Sequence, residues 1–170
     1  MTRKLLIFDL DETLVHASTV QLAQAADFIC GPYFVYQRPY LQALLTATQP
    51  LYDFAVWSSS SRAYVDAVVT QVFGSEFELK FAWSVERCVQ RVDVRSNGYV
   101  YLKDLRKVQG QGYAVEEITM LDDSPEKIAR QSRNHFRVKP YLGQLDDREL
   151  LLVAEALRRR AGMTPDQPKA

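Results

Sequence analysis

The chain is poor in the residues that build several common kinds of site. It has 2 cysteines and 2 histidines in 170 residues. Cys30 and Cys88 lie far apart and form no Cys-x-x-Cys pair, which argues against a zinc cluster or a disulfide framework. Both thiols read as small reduced hydrophobes of a cytosol-like compartment. There is no charge excess either: 21 basic residues balance 21 acidic ones. A general nucleic-acid-binding surface needs a basic surplus and is not expected. No apolar run approaches membrane-spanning length. Arg3 and Lys4 are followed by only a short apolar stretch before Asp9, too little for a secretory signal. Repeats and low-complexity segments are also missing. These absences predict a soluble cytoplasmic protein that makes no membrane contact. The length predicts one domain over residues 1–160, followed by a flexible tail over 161–170.

What the chain does have is concentrated in Leu5-Leu6-Ile7-Phe8-Asp9-Leu10-Asp11-Glu12-Thr13-Leu14-Val15. The run opens as a strand buried on both faces and breaks into two aspartates one residue apart. A parallel strand that ends in carboxylates delivers them to the carboxyl edge of its sheet, where open α/β folds place ligands. Two acids this close repel each other unless a cation sits between them, and Mg²⁺ is commonly held by carboxylates and substrate phosphate.

Three further segments fit the same frame. Asp53–Trp57 reads as a second buried strand that ends in four serines, Ser58 to Ser61, ahead of a helical run from Arg62. A strand, hydroxyls and a helix start together offer donors to an anion, and Ser60 or Ser61 can also serve as a plain helix cap. Glu116–Leu121 reads as a third strand running into Asp122-Asp123-Ser124-Pro125, with Ser124 as cap and Pro125 opening a helix. Phe136–Val138 reads as a short fourth strand. Between these segments, His16–Asp27 has Ala-rich helical spacing, and Phe28–Tyr36 reads as a hairpin or flap around Gly31-Pro32. Pro39 opens a helix carrying Leu41, Leu44 and Leu45, and Val92–Tyr101 alternates around Asn97-Gly98 as a second hairpin. A final helix starts near Asp146, with Glu149 completing a capping box. Strands alternating with helices predict an α/β fold: a doubly wound, Rossmann-like parallel sheet flanked by helices, with small hairpin insertions and no large cap domain.

Such a sheet brings Asp9, Asp11, Ser58, Asp122 and Asp123 to one edge. A carboxylate there can attack phosphorus, and a second carboxyl group can protonate the leaving oxygen and then activate water. In this order the residues resemble the four motifs of the haloacid dehalogenase superfamily of phosphatases. Asp9-Leu10-Asp11-Glu12-Thr13 is similar to the first motif, Ser58 to the second, Lys103 to the third and Asp122-Asp123 to the fourth. Several details are similar to the small C-terminal-domain Ser/Thr phosphatases, the FCP/SCP-like and NLI-interacting-factor-like group. These are Val15-His16, Arg38-Pro39, Tyr101-Leu102-Lys103-Asp104-Leu105 and Leu121-Asp122-Asp123-Ser124-Pro125.

The resemblance implies a phosphomonoesterase acting through an aspartyl-phosphate on a phosphoprotein or other bulky partner. Asp9 would be the nucleophile and Asp11 the general acid and base. Mg²⁺ would be held by Asp9, the Asp11 main-chain carbonyl, Asp122 and Asp123. The phosphoryl oxygens would meet Ser58, Lys103 and the amides of Leu10 and Ser59. The alternatives are a phosphatase for a small metabolite, a sugar or a nucleic-acid end, and a scaffold of the same fold without activity. The 16–38 segment follows the family pattern poorly. Tyr33, Phe34 and Tyr36 are its aromatic candidates for lining a substrate groove. Trp57 and Trp83 lie elsewhere in the chain, and Trp57, inside a strand, is expected in the core.

Overall fold

The computed structural model describes residues 3–162. The expected flexible tail over 161–170 lies outside the described residues from Met163 onward. Strand β1 (Lys4–Phe8) runs through the middle of a five-stranded sheet. Leu5, Leu6, Ile7 and Phe8 are all fully buried, as a strand covered on both faces requires. Its neighbours are β5 (Tyr52–Trp57) on one side and β9 (Ile118–Asp122) on the other. Beyond them lie β6 (Leu79–Trp83) and β10 (His135–Arg137), and every pairing is parallel. The order is β10-β9-β1-β5-β6. Phe8 is in register with Val56 and with Leu121, so the chain leaves three adjacent strands side by side at Asp9, Ser58 and Asp122.

The two faces of the sheet are covered differently. Leu6, Phe8, Phe54, Val56 and Leu121 pack against α1 (Leu41–Thr48), α2 (Arg62–Phe73) and α3 (Glu149–Arg160). Leu5, Ile7, Ala55, Trp57 and Met120 pack against Leu105, Val108, Tyr113 and Ile128, all but Tyr113 within 3₁₀ turns. The expected doubly wound sheet is present, with 3₁₀ turns in place of α-helices on its second face. The segment after Ser124 is one of these: Pro125 does open it, but it runs as a kinked 3₁₀ stretch, Pro125–Asn134, and Ser124 makes no side-chain cap.

Four other expectations need correction. His16–Asp27 is not helical: β2 (Val15–Ser18) pairs with β4 (Tyr33–Gln37), which also pairs with β3 (Phe28–Cys30). The hairpin at Gly31-Pro32 is there, extended into a three-stranded sheet. Residues 19–27 are held as a loop by individual bonds, including Leu22 N–H to Tyr36 Oη at 2.7 Å and Gln24 Nε2 to the Gly143 carbonyl at 2.6 Å. Gly143, at φ 95°, faces Leu22 so closely that a Cβ would collide with it. Pro39 precedes α1 rather than starting it, because Tyr40 at φ 66° is the residue before the first turn. The second hairpin, β7 (Val89–Asp93) and β8 (Gly98–Leu102), pairs Asp93 with Gly98. Its loop is therefore Val94–Asn97, and Gly98 begins the strand. Helix α3 starts without the expected capping box: Asp147, not Asp146, accepts the Glu149 N–H at 3.2 Å.

Strand β6 escaped the sequence reading. It is an edge strand with Lys80 exposed and Leu79 and Phe81 half-buried, so it lacks the apolar run that marked the inner strands. No described helix is long and apolar enough to cross a membrane.

Candidate active site

The three strand ends converge on a buried ion cluster. Lys103 follows β8, and its side chain is completely buried. Its Nζ donates to Asp9 Oδ1 at 2.9 Å and to Asp122 Oδ2 at 2.6 Å. A lysine is almost never found at this depth unless paired, and here two carboxylates hold it. They raise its pKa against the opposing effect of burial, so it stays charged. Asp9 shows the converse. Burial alone would raise its carboxyl, but the charges of Lys103 and Lys127, with hydrogen bonds from Lys103 and Thr13, override this and lower it. The Thr13 hydroxyl donates to Asp9 Oδ2 at 3.1 Å. Asp9 is thus an ionised, oriented carboxylate at the sheet edge.

Asp122 and Asp123 complete the acidic side. Oxygens of Asp9, Asp122 and Asp123 all lie within 4.8 Å of one another. Burial and the charge of Asp9 raise Asp122 despite Lys103. Burial, then the charges of Asp9 and Asp122, push Asp123 up to about 7. The cluster holds more negative charge than Lys103 neutralises, and its donors are hard oxygens. That combination fits a divalent cation such as Mg²⁺. The Asp11 main-chain carbonyl accepts no hydrogen bond among the described residues.

Asp11 sits apart from this cluster. The chain turns sharply after it, with Glu12 at φ 63° and the Leu10 carbonyl accepting from the amides of Thr13, Leu14 and Val15. The turn sends the Asp11 carboxyl toward the start of α2. There Ser60 Oγ donates to Oδ2 at 2.8 Å and Tyr64 Oη donates to Oδ1 at 2.5 Å. Burial raises its pKa and the charge of Asp9 adds to that, against the Tyr64 and Ser60 hydrogen bonds. Two carboxyl groups two residues apart are therefore pushed in opposite directions, the pattern of a nucleophile beside an acid.

The serine run divides its work. Ser61 caps α2, accepting the Tyr64 N–H at 3.4 Å. Ser58, expected to offer its hydroxyl to an anion, is buried, and its Oγ accepts the Ser60 N–H at 3.0 Å. Ser59 Oγ accepts from Lys127 Nζ at 3.0 Å. The amides of Leu10 and Ser59 have no acceptor among the described residues, which leaves both free for an anion.

A cavity of about 410 Å³ borders the site, lined by Asp11, Glu12, Ala17, Tyr33, Ser60, Ser61 and Tyr64. Of the three aromatic candidates on the flap, Tyr33 alone lines it, edge-on to Tyr64 at 5.9 Å. Tyr36 is buried and Phe34 half-buried. Trp57 is in the core as expected, and Trp83 packs edge-on against it at 4.9 Å.

Sequence reasoning missed Ser60, Tyr64, Lys127 and the pair Arg38–Asp147. The Arg38 side chain is fully buried and grips both Asp147 oxygens, at 2.8 and 3.0 Å. It also donates to the Thr13 carbonyl at 3.1 Å, so it ties the turn behind Asp9 to the start of α3. Helical spacing from Ser60 to Tyr64 hints that the two share a face. Nothing in the sequence singles out Lys127.

The same architecture occurs in solved structures. Fcp1, described as an essential RNA polymerase II CTD phosphatase, superposes with a TM-score of 0.64 at 15% identity, covering 99% of this chain and 55% of that one. A protein from Porphyromonas gingivalis, described as a predicted HAD-like family hydrolase, gives 0.56 at 12% identity, covering 93% of this chain and 99% of that one. At such identities the likeness is one of fold. These structures place the chain among α/β proteins with a Rossmann-like parallel sheet of the HAD-like type.

The chain belongs to the NLI interacting factor-like phosphatase family, whose profile matches residues 4–167. It is 27% identical over 172 residues to nuclear envelope morphology protein 1 of Saccharomyces cerevisiae, covering 88% of this chain and 37% of that protein. Phosphatase Herzog of Drosophila melanogaster is 29% identical over 177 residues, covering 94% of this chain and 45% of that protein. The human CTD small phosphatase-like protein is 27% identical over 164 residues, covering 88% and 53%. The chain thus spans between 37% and 53% of the length of these relatives.

Proposed function

We propose that the domain is an Mg²⁺-dependent phosphomonoesterase that works through an aspartyl-phosphate on Asp9 and acts on phosphorylated serine or threonine in a protein. The observation that carries the chemistry is the fully buried Lys103 held between Asp9 and Asp122, with Asp11 held separately by two hydroxyls. Asp9 attacks phosphorus while the bond from phosphorus to the alkoxide breaks, and Asp11 gives that alkoxide its proton. Asp11, now a carboxylate, takes a proton from water as the water attacks the acyl phosphate. Inorganic phosphate leaves and Asp9 is restored. Lys103 and the amides of Leu10 and Ser59 neutralise and orient the phosphoryl oxygens, and Ser58 sits behind them on the same edge. Asp9, Asp122, Asp123 and the Asp11 carbonyl are the donors that would hold Mg²⁺, which supplies positive charge where phosphate and carboxylates meet.

The protein substrate is favoured by access. The insertions beside the site are the small β2-β4-β3 sheet and the β7-β8 hairpin, too little chain to enclose a small molecule in an independent cap. Relatives named as CTD phosphatases point the same way. The test is turnover of para-nitrophenyl phosphate with and without Mg²⁺, followed by a panel of phosphoserine and phosphothreonine peptides against sugar phosphates. The expected result is Mg²⁺-dependent turnover and a higher kcat/KM on peptides. Preference for a free sugar phosphate over every peptide would overturn the substrate assignment, and no turnover of any ester would overturn the activity.

A further inference from the structure

A count of donors shows that Lys103 cannot serve the phosphoryl group alone. Its ammonium has three N–H bonds. Two are committed to Asp9 and Asp122, at 2.9 and 2.6 Å, and both partners are themselves buried. One N–H remains for a group that arrives with two negative charges.

Lys127 is the second cation at this edge. It lies in the 3₁₀ stretch that follows Asp122 and Asp123, and its side chain turns back across the strand ends to Ser59 Oγ at 3.0 Å. Ser59 is the residue whose free amide faces the same edge. The Lys127 carbonyl accepts the Lys103 N–H at 2.8 Å, so the two lysines are fixed to each other through the main chain. Lys127 is half-buried, and its ammonium has two N–H bonds left after Ser59. Its charge also helps to lower Asp9 and tempers the rise of Asp11, so it acts on both carboxylates.

We infer that Lys127 is a second phosphate-binding cation, taking the phosphoryl oxygens that Lys103 cannot reach with its single remaining donor. The ligand is the dianionic phosphate group itself, as the substrate ester and as the inorganic phosphate product. This assignment rests on the phosphatase reading. In it Lys103 is chiefly a permanent counter-ion of the buried acids, and Lys127 is the cation that engages and releases the phosphate.

The experiment measures KM for para-nitrophenyl phosphate and the inhibition constant of inorganic phosphate, at saturating Mg²⁺, for wild type, Lys127→Met and Lys127→Arg. Hydrogen bonds between charged groups are strong enough that losing one should cost about tenfold or more in binding. Lys127→Met should raise both constants by about that factor, and Lys127→Arg should recover most of the loss. Unchanged constants in Lys127→Met, in a wild type that turns over the ester, would overturn the assignment while leaving the phosphatase reading intact. Equal losses in both variants, with a lowered melting temperature, would also overturn it by making Lys127 a prop for the Ser59 loop. A wild type that hydrolyses no ester would instead sink the reading beneath it.

Discussion

At the scale of single residues, the site is defined by the environment of each carboxyl group. Lys103 is the clearest case, because its depth turns an ordinary surface residue type into the electrostatic centre of the domain. Removing one member of a buried ion cluster strands the others. Lys103→Met should therefore abolish turnover and also lower stability by about 3–5 kcal/mol, read as a fall in the urea midpoint. A variant that is inactive but equally stable would mean that the acids are relieved by something else. Asp11 makes a different prediction. In the proposed mechanism Asp11→Asn removes the acid of the first step and the base of the second. With an aryl phosphate, whose leaving group needs little protonation, the first step suffers less. Phosphorylated enzyme should then accumulate in rapid-quench experiments. Hydrolysis of the intermediate at the wild-type rate would assign the base to another residue.

The acids were legible in the sequence because each one ends an apolar strand, and strand ends of a parallel sheet meet. Their partners carry no local signal, and Lys103 is marked only through the family resemblance. Lys103 reaches its depth only when β1 and β9 bring Asp9 and Asp122 beside it, and Arg38 finds Asp147 at a separation of 109 residues. Such pairs have no local signal. Ser60 and Tyr64 were hidden for another reason: a serine before a helix is explained well enough as a cap.

At the scale of elements, inner strands were easy to read and irregular segments were not. Leu5–Phe8 is buried on both faces, and its composition shows it. The segment 16–27 has the alanines of a helix, but pairing with β4 outweighs a weak local propensity. The loop that follows Lys103 illustrates how an irregular segment is held. Asp104 accepts from Arg106, Arg130 and Gln131, joining the two 3₁₀ stretches on the second face of the sheet. Hydrogen bonds from Arg106 lead, burial opposes them, and Arg130 and Gln131 add to the effect, so the Asp104 carboxyl sits well below the usual carboxylate range. The unfolded chain, with an ordinary value near about 3.9, binds the proton first as pH falls. The stabilisation is thus complete above that value and is lost as pH falls toward the folded value. Asp104→Asn should lower stability at neutral pH and flatten the acid limb of the melting temperature below about pH 4. An acid limb as steep as that of the wild type would show that Asp104 gains nothing from its partners.

At the scale of the whole molecule, one sheet gathers three strand ends beside a cavity lined by Asp11, Ser60 and Tyr64. In the proposed reaction the surplus of acids there calls for a cation. Chelation should abolish turnover, Mg²⁺ should restore it, and added Mg²⁺ should raise the melting temperature of the metal-stripped protein by binding the folded state. Turnover undiminished by chelation would require a different chemistry. Zn²⁺ should be a poor substitute at a site of carboxylates and a carbonyl.

The central claim is that Asp9 forms a covalent bond to phosphorus. The most direct measurement is to quench the enzyme during turnover of para-nitrophenyl phosphate with Mg²⁺, reduce the acyl phosphate with borohydride, and sequence the peptides by mass spectrometry. Reduction converts the acylated carboxyl carbon to an alcohol and leaves homoserine in place of the modified aspartate. The account predicts homoserine at position 9, dependent on substrate and on Mg²⁺. Homoserine at position 11 or 122, or no conversion of any aspartate in a protein that is turning over, would contradict it.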